Sequence, residues 1–161
     1  TVTAKQINAK GLQAEYIQSS NYSPGVDVES LLFDKTAMGY SVRLKQDSIS
    51  ETVIIPSSYN GLPVIRIDGD SFEAGKDIIK TLAIPSTITT VPFGFLEGYS
   101  VLEEIHMPIV ENTNGLSDTW FAALFGDTDS DQGTPNIPPT LKRIFIFYRN
   151  KKVKENQYGP D

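Results

Sequence analysis

Apolar residues in this chain recur in short alternating runs rather than at helical spacing. Val53 and Ile55, Leu82 and Ile84, Ile105 and Met107, and Ile144 and Ile146 are each separated by one residue. That is the period-two pattern of a strand with one buried face. Three of the runs close on proline, at Pro56, Pro85 and Pro108. Proline has no amide to donate and therefore ends a ladder. Aligned on that position, Ser50–Pro56 stacks on Ile79–Pro85 and on Leu102–Pro108. Leu141–Phe147 makes a fourth line, with Phe in place of Pro.

Each unit has a second half. Val64-Ile65-Arg66-Ile67 leads to Phe72 and Gly75, and Ile88-Thr89-Thr90-Val91 leads to Leu96 and Gly98. The unequal unit lengths have local causes. Tyr59-Asn60-Gly61-Leu62-Pro63 lengthens the first, and Asn-Gly signals a tight turn. An insertion over 109–139 lengthens the third. A unit of this size cannot bury its apolar face alone and stacks on its neighbour. The expected fold is an α/β repeat solenoid, mostly β, with parallel strands in one stack. The expected organisation is an N-terminal segment (1–30), a repeat domain (31–147) and a basic tail (148–161).

Parallel register makes columns of the outward residues. One column is Thr52, Thr81, Glu104 and Arg143; the other is Ile54, Ala83, His106 and Phe145. Neighbours in a column lie about 4.8 Å apart. Glu104 then faces Arg143 as an exposed ion pair, and His106 lies beside Phe145. These eight residues are the candidate binding face, with Ile54 and Phe145 as apolar anchors among polar groups.

The flanks depart from the repeat. Leu31–Leu44 reads as two short strands around Lys35–Gly39, a hairpin cap (31–49) for the first unit. Thr3-x-x-Gln6 is a capping-box pattern that predicts a short helix running to about Ile17. In the insertion, Ser117 or Asp118 can cap a short helix carrying Trp120, Phe121, Leu124 and Phe125. Gly126 is its stop. Four large apolar groups on two turns predict burial rather than a sugar platform.

Composition narrows the function. The 161 residues are 39% hydrophobic and 21% charged, with no cysteine. Disulfides, thiolate catalysis and zinc–thiolate sites are thereby excluded. The net charge of −6 is uneven. Residues 1–141 hold 8 basic and 18 acidic residues, and 142–161 hold 6 basic and 2 acidic. An acidic body argues against a nucleic-acid partner, which needs a basic face. No apolar run reaches the roughly 18 residues of a membrane span, so no membrane insertion is expected. The basic residues of the tail read as a solvated end or linker.

Chemistry-bearing motifs are sparse. Asp127, Asp129 and Asp131 stand at positions 1, 3 and 5 of an apparent calcium loop, but Gln132 replaces the glycine at 6 and Pro138 the glutamate at 12. They remain a weak calcium candidate. His106 is the only histidine; it falls mid-strand, without a Gly-x-Ser-x-Gly elbow, so no catalytic triad is expected. No phosphate loop or dinucleotide fingerprint occurs. The reading is therefore no enzyme, no cofactor and no metal, although carboxylates of the insertion leave a carbohydrate-active enzyme as a remote alternative.

The line "IKTLAIPSTITTVPFGFLEG" (Ile79–Gly98) resembles the unit of the BspA-like leucine-rich repeat family, "L-x-x-I-x-I-P-S-x-V-x-x-I-G-x-x-A-F-x-G-C", and Ile55–Gly75 follows it with a longer turn. "YNGLPV" (Tyr59–Val64) and "GYSV" (Gly39–Val42) look like the lead-in of such arrays. The cysteine of that pattern is missing, with Lys76 and Tyr99 near its place. The resemblance implies a secreted or cell-surface bacterial protein engaged in adhesion. The expected function is a non-catalytic binding module recognising a host or bacterial surface protein or glycan through the strand face. The alternative is a structural spacer within a larger surface protein.

Overall fold

The proline-terminated runs pair with one another, side by side and in the order of the chain. The structure, a computed structural model, describes residues 2–6, 13–17, 29–108, 123–126 and 136–147. Its strands are β1 (Val2–Gln6), β2 (Gln13–Ile17), β3 (Leu31–Lys35), β4 (Tyr40–Leu44), β5 (Thr52–Ile54), β6 (Ser58–Tyr59), β7 (Leu62–Ile67), β8 (Thr81–Ala83), β9 (Glu104–Pro108) and β10 (Arg143–Phe147). A 3-10 helix spans Gly69–Gly75. The described chain is mostly β, in two sheets: β1-β2-β10-β9-β8-β5, and β3-β4-β7-β6.

In the larger sheet, β5, β8, β9 and β10 are parallel. Thr52 pairs with Thr81 and Thr81 with Glu104. Glu104 in turn pairs with Arg143. The inward residues Val53, Leu82, Ile105 and Ile144 are fully buried, as are Ile55, Ile84, Met107 and Ile146. Burying each side chain of this size is worth about 1.5–3 kcal/mol, set against the entropy of ordering it. Just before each strand the same backbone contact recurs. The Glu51 carbonyl accepts from the amides of Lys80 and Thr81, the Lys80 carbonyl from Glu103 and Glu104, and the Glu103 carbonyl from Lys142 and Arg143.

The smaller sheet begins with the expected hairpin. β3 and β4 are antiparallel, closed by Thr36, whose Oγ1 accepts from the amides of Met38 and Gly39. The hairpin pairs through β4 with β7 rather than with β5, and Leu31, Val42 and Leu44 join the core beside Val53 and Val64. β6 and β7 form a second hairpin. Its two turn residues both have positive φ, Asn60 at 48° and Gly61 at 79°, the type I′ geometry that selects Asn-Gly. Phe33 stacks on Tyr59 at 4.0 Å, and Tyr40 stands edge-on to both. This cluster ties the two hairpins together.

Two expectations at the flanks are revised or narrowed. The predicted N-terminal helix is instead the antiparallel pair β1–β2. β2 lies parallel beside β10, so the ladder of the large sheet supplies backbone partners that a lone helix would have made internally. In the insertion, residues 123–125 are helical, with Leu124 and Phe125 buried. Gly126 ends the turn at φ 72°, as a C-terminal glycine does. The amides of Gly94 and Leu96 donate to the carbonyls of Ala123 and Leu124, so this segment packs on the second half of the second unit. Trp120, Phe121 and the proposed caps Ser117 and Asp118 lie outside the described residues.

Candidate functional site

The outward columns meet at β9 and β10, and there the side chains form a connected group. The pleat places Glu104, His106, Arg143 and Phe145 on one face because their neighbours Ile105, Met107, Ile144 and Ile146 fill the core. Parallel register then sets Glu104 beside Arg143 and His106 beside Phe145. Glu104 uses both carboxylate oxygens. Oε2 accepts from Arg143 Nη2 at 2.7 Å, and Oε1 accepts from His106 Nε2 at 2.5 Å. A carboxylate cannot donate, so the proton of that second bond sits on Nε2. The imidazole stacks on Phe145, with centroids 4.4 Å apart and planes 20° from parallel.

Accessibility corrects part of the expected face. The Glu104–Arg143 pair is not fully exposed: the Glu104 side chain retains 16% of its accessible surface and His106 14%, against 55% for Arg143. Ala83 is 1% exposed and offers nothing to a partner, because a single methyl lies in register between the larger Ile54 and His106. Ile54 and Phe145 are half-buried, as is Thr81, while Thr52 is exposed. The accessible surface of the face is thus the Arg143 guanidinium, the edges of the His106–Phe145 stack, and the Thr52–Ile54 edge.

A column of alternating charge flanks this face. Lys80 Nζ bonds Glu51 Oε1 at 2.9 Å, and Lys142 Nζ lies 3.4 Å from Glu103 Oε1. Glu51, Lys80, Glu103 and Lys142 each directly precede a strand of the parallel set. The hydrogen bond that Lys80 donates to Glu51, then the charge of Glu51, holds the Lys80 ammonium above its ordinary pKa. The expected face did not include this ladder, although the signal was there, since the four residues share one aligned position of the repeat. The pairing of β2 with β10 carried no comparable signal.

The calcium candidates Asp127, Asp129 and Asp131 lie outside the described residues, as does the basic tail (148–161). Among the described residues no group of three or more His, Cys, Asp or Glu side chains is arranged to hold a metal, and no helix is long and apolar enough to cross a membrane. Comparison with known proteins finds no family model, no curated protein and no solved structure that matches this chain.

Proposed function

We propose that the chain is a short leucine-rich-repeat solenoid of the BspA-like kind, acting as a non-catalytic binding module at a cell surface or outside the cell. Its partner on this reading is a protein, engaged by the face of β9 and β10. The observation that supports it is the Glu104-centred group. A guanidinium and an imidazole are both fixed by one carboxylate, and the imidazole is backed by a phenyl ring. Preorganised polar groups beside a flat aromatic surface lose little rotamer freedom when a partner docks. Arg and aromatic residues are also the side chains enriched at interface hot spots.

The spacer reading has one observation in its favour. Both Glu104 oxygens and the His106 Nε2 proton are already committed within the chain, as expected of a network that only holds strands together. A binding screen against matrix proteins separates the two. It is run on the wild-type chain and on a Glu104→Ala, His106→Ala, Phe145→Ala variant that retains the wild-type circular dichroism. The binding-module reading predicts a micromolar partner whose affinity falls at least roughly tenfold in the variant, the loss of about one hot-spot contact. No partner, or one bound equally by the variant, returns the spacer.

A further inference from the structure

The smaller sheet carries a groove that the strand-face reading does not use. It holds about 850 Å³ between the end of β7 and the segment Thr90–Pro92 that leads into a turn, within the range of small-ligand sites. Its two walls meet at Gly69. A Cβ there would stand 2.8 Å from Pro92 Cγ, so the absence of a side chain is what lets β7's exit close on the turn.

The lining carries charges of both signs. Arg66 pairs in register with Ser41 of β4; Asp68 follows two residues later and Asp70 opens the 3-10 helix. All three charged side chains line the groove and are exposed. Among the described residues none of them makes an ion pair, whereas Asp34 and Arg43 on the same sheet bond each other at 2.8 Å. Ser41 and Thr90 add hydroxyls, and Ile65, Val91 and Pro92 add apolar surface. Phe93, next in the chain after Pro92, is 69% exposed.

We propose that this groove binds a neutral carbohydrate chain. A guanidinium can only donate, an ionised carboxylate can only accept, and hydroxyls do both. An anion entering here meets two carboxylates, and a cation meets Arg66. A sugar carries no charge to oppose either, and its hydroxyls satisfy donors and acceptors together. The apolar C–H face of a pyranose ring has Ile65, Val91 and Pro92 to lie on. The hydrogen bonds to Arg66 and Asp70 are charge-assisted, the stronger class.

The test is calorimetric titration of the full chain with maltotetraose, cellotetraose and mannotetraose, with triglycine and sulfate as a zwitterion and an anion of other chemistry. Arg66→Gln and Asp70→Asn keep shape and remove charge at exposed positions, and Glu51→Gln, exposed just before β5 on the other sheet, serves as a control. The expected result is binding of at least one tetrasaccharide, weakened roughly tenfold or more by each groove variant and unchanged by Glu51→Gln. Four results overturn the proposal: no tetrasaccharide binds, the groove variants bind as wild type, Glu51→Gln alone abolishes binding, or triglycine or sulfate is preferred. None of them bears on protein binding at the strand face, which its own screen tests.

Discussion

Tyr99 illustrates how a single side chain fastens two units. Its ring is buried, and its hydroxyl donates to the Phe72 carbonyl at 2.5 Å, joining the second unit to the 3-10 helix of the first. Burial first, and then the charge of Glu73, push its pKa up from the ordinary 10.0. A phenol whose folded pKa is raised stabilises the fold fully below its unfolded pKa and loses that contribution as pH rises through the folded value. Stability is therefore expected to fall above pH 10 by up to about 1.4 kcal/mol per pH unit from this group. Tyr99→Phe leaves the Phe72 carbonyl without its donor, at a cost of about 1–3 kcal/mol at pH 7. Urea unfolding of both proteins at pH 7 and above pH 10 checks this: the variant begins less stable and shows a shallower alkaline decline. Equal alkaline slopes contradict it. The contacts of Glu104 with Arg143 and of His106 with Phe145 were legible in the sequence, because alignment on proline fixes register and register fixes cross-strand neighbours. The link from Glu104 to His106 on one strand was not, since two residues of one type of spacing do not reveal rotamers. Tyr99 was invisible for a similar reason: nothing in its spacing announces a bond to Phe72.

At the scale of elements, the repeated strands were readable and the N-terminal segment was not. Val53, Leu82, Ile105 and Ile144 carry their own period. β2 reads Gln-Ala-Glu-Tyr-Ile, a pattern compatible with either element, and the Thr3-x-x-Gln6 cap tilted it toward helix. Tertiary pairing with β10 overrides that local preference. The β3–β4 hairpin was predicted correctly, but its pairing with β7 depends on a long-range contact that no local pattern encodes. The charge ladder before the strands acts at this scale by favouring one register. Lys80→Glu sets three carboxylates in a row, at 51, 80 and 103, and is expected to lower the thermal midpoint at low salt. Adding Glu51→Lys restores the pair and should recover part of that loss. Both effects shrink at 1 M salt, where the Debye length falls to roughly 3 Å. A double variant no more stable than Lys80→Glu alone shows that the ladder has no such role.

For the whole molecule, two sheets present two different surfaces. The large sheet offers an aromatic and cationic patch, the proposed protein-binding face, and the small sheet offers a trough whose charges, of both signs, make no ion pair among the described residues. The first was anticipated from outward columns. The groove was not, because Ser41, Arg66, Asp70 and Thr90 are brought together only when β4, β7 and the Pro92 turn converge. The strand-face reading rests on the in-register parallel set, and above all on Glu104 lying beside Arg143. The chain has no cysteine, so introduced pairs report register directly. In-register neighbours lie about 4.8 Å apart, while residues offset by two along the next strand are roughly 8 Å apart. Disulfides do not bridge Cα atoms more than about 7 Å apart without backbone movement. Mild oxidation should close Glu104→Cys with Arg143→Cys and leave Glu104→Cys with Phe145→Cys open. The reverse, or equal closure of both, contradicts the register on which the candidate site depends.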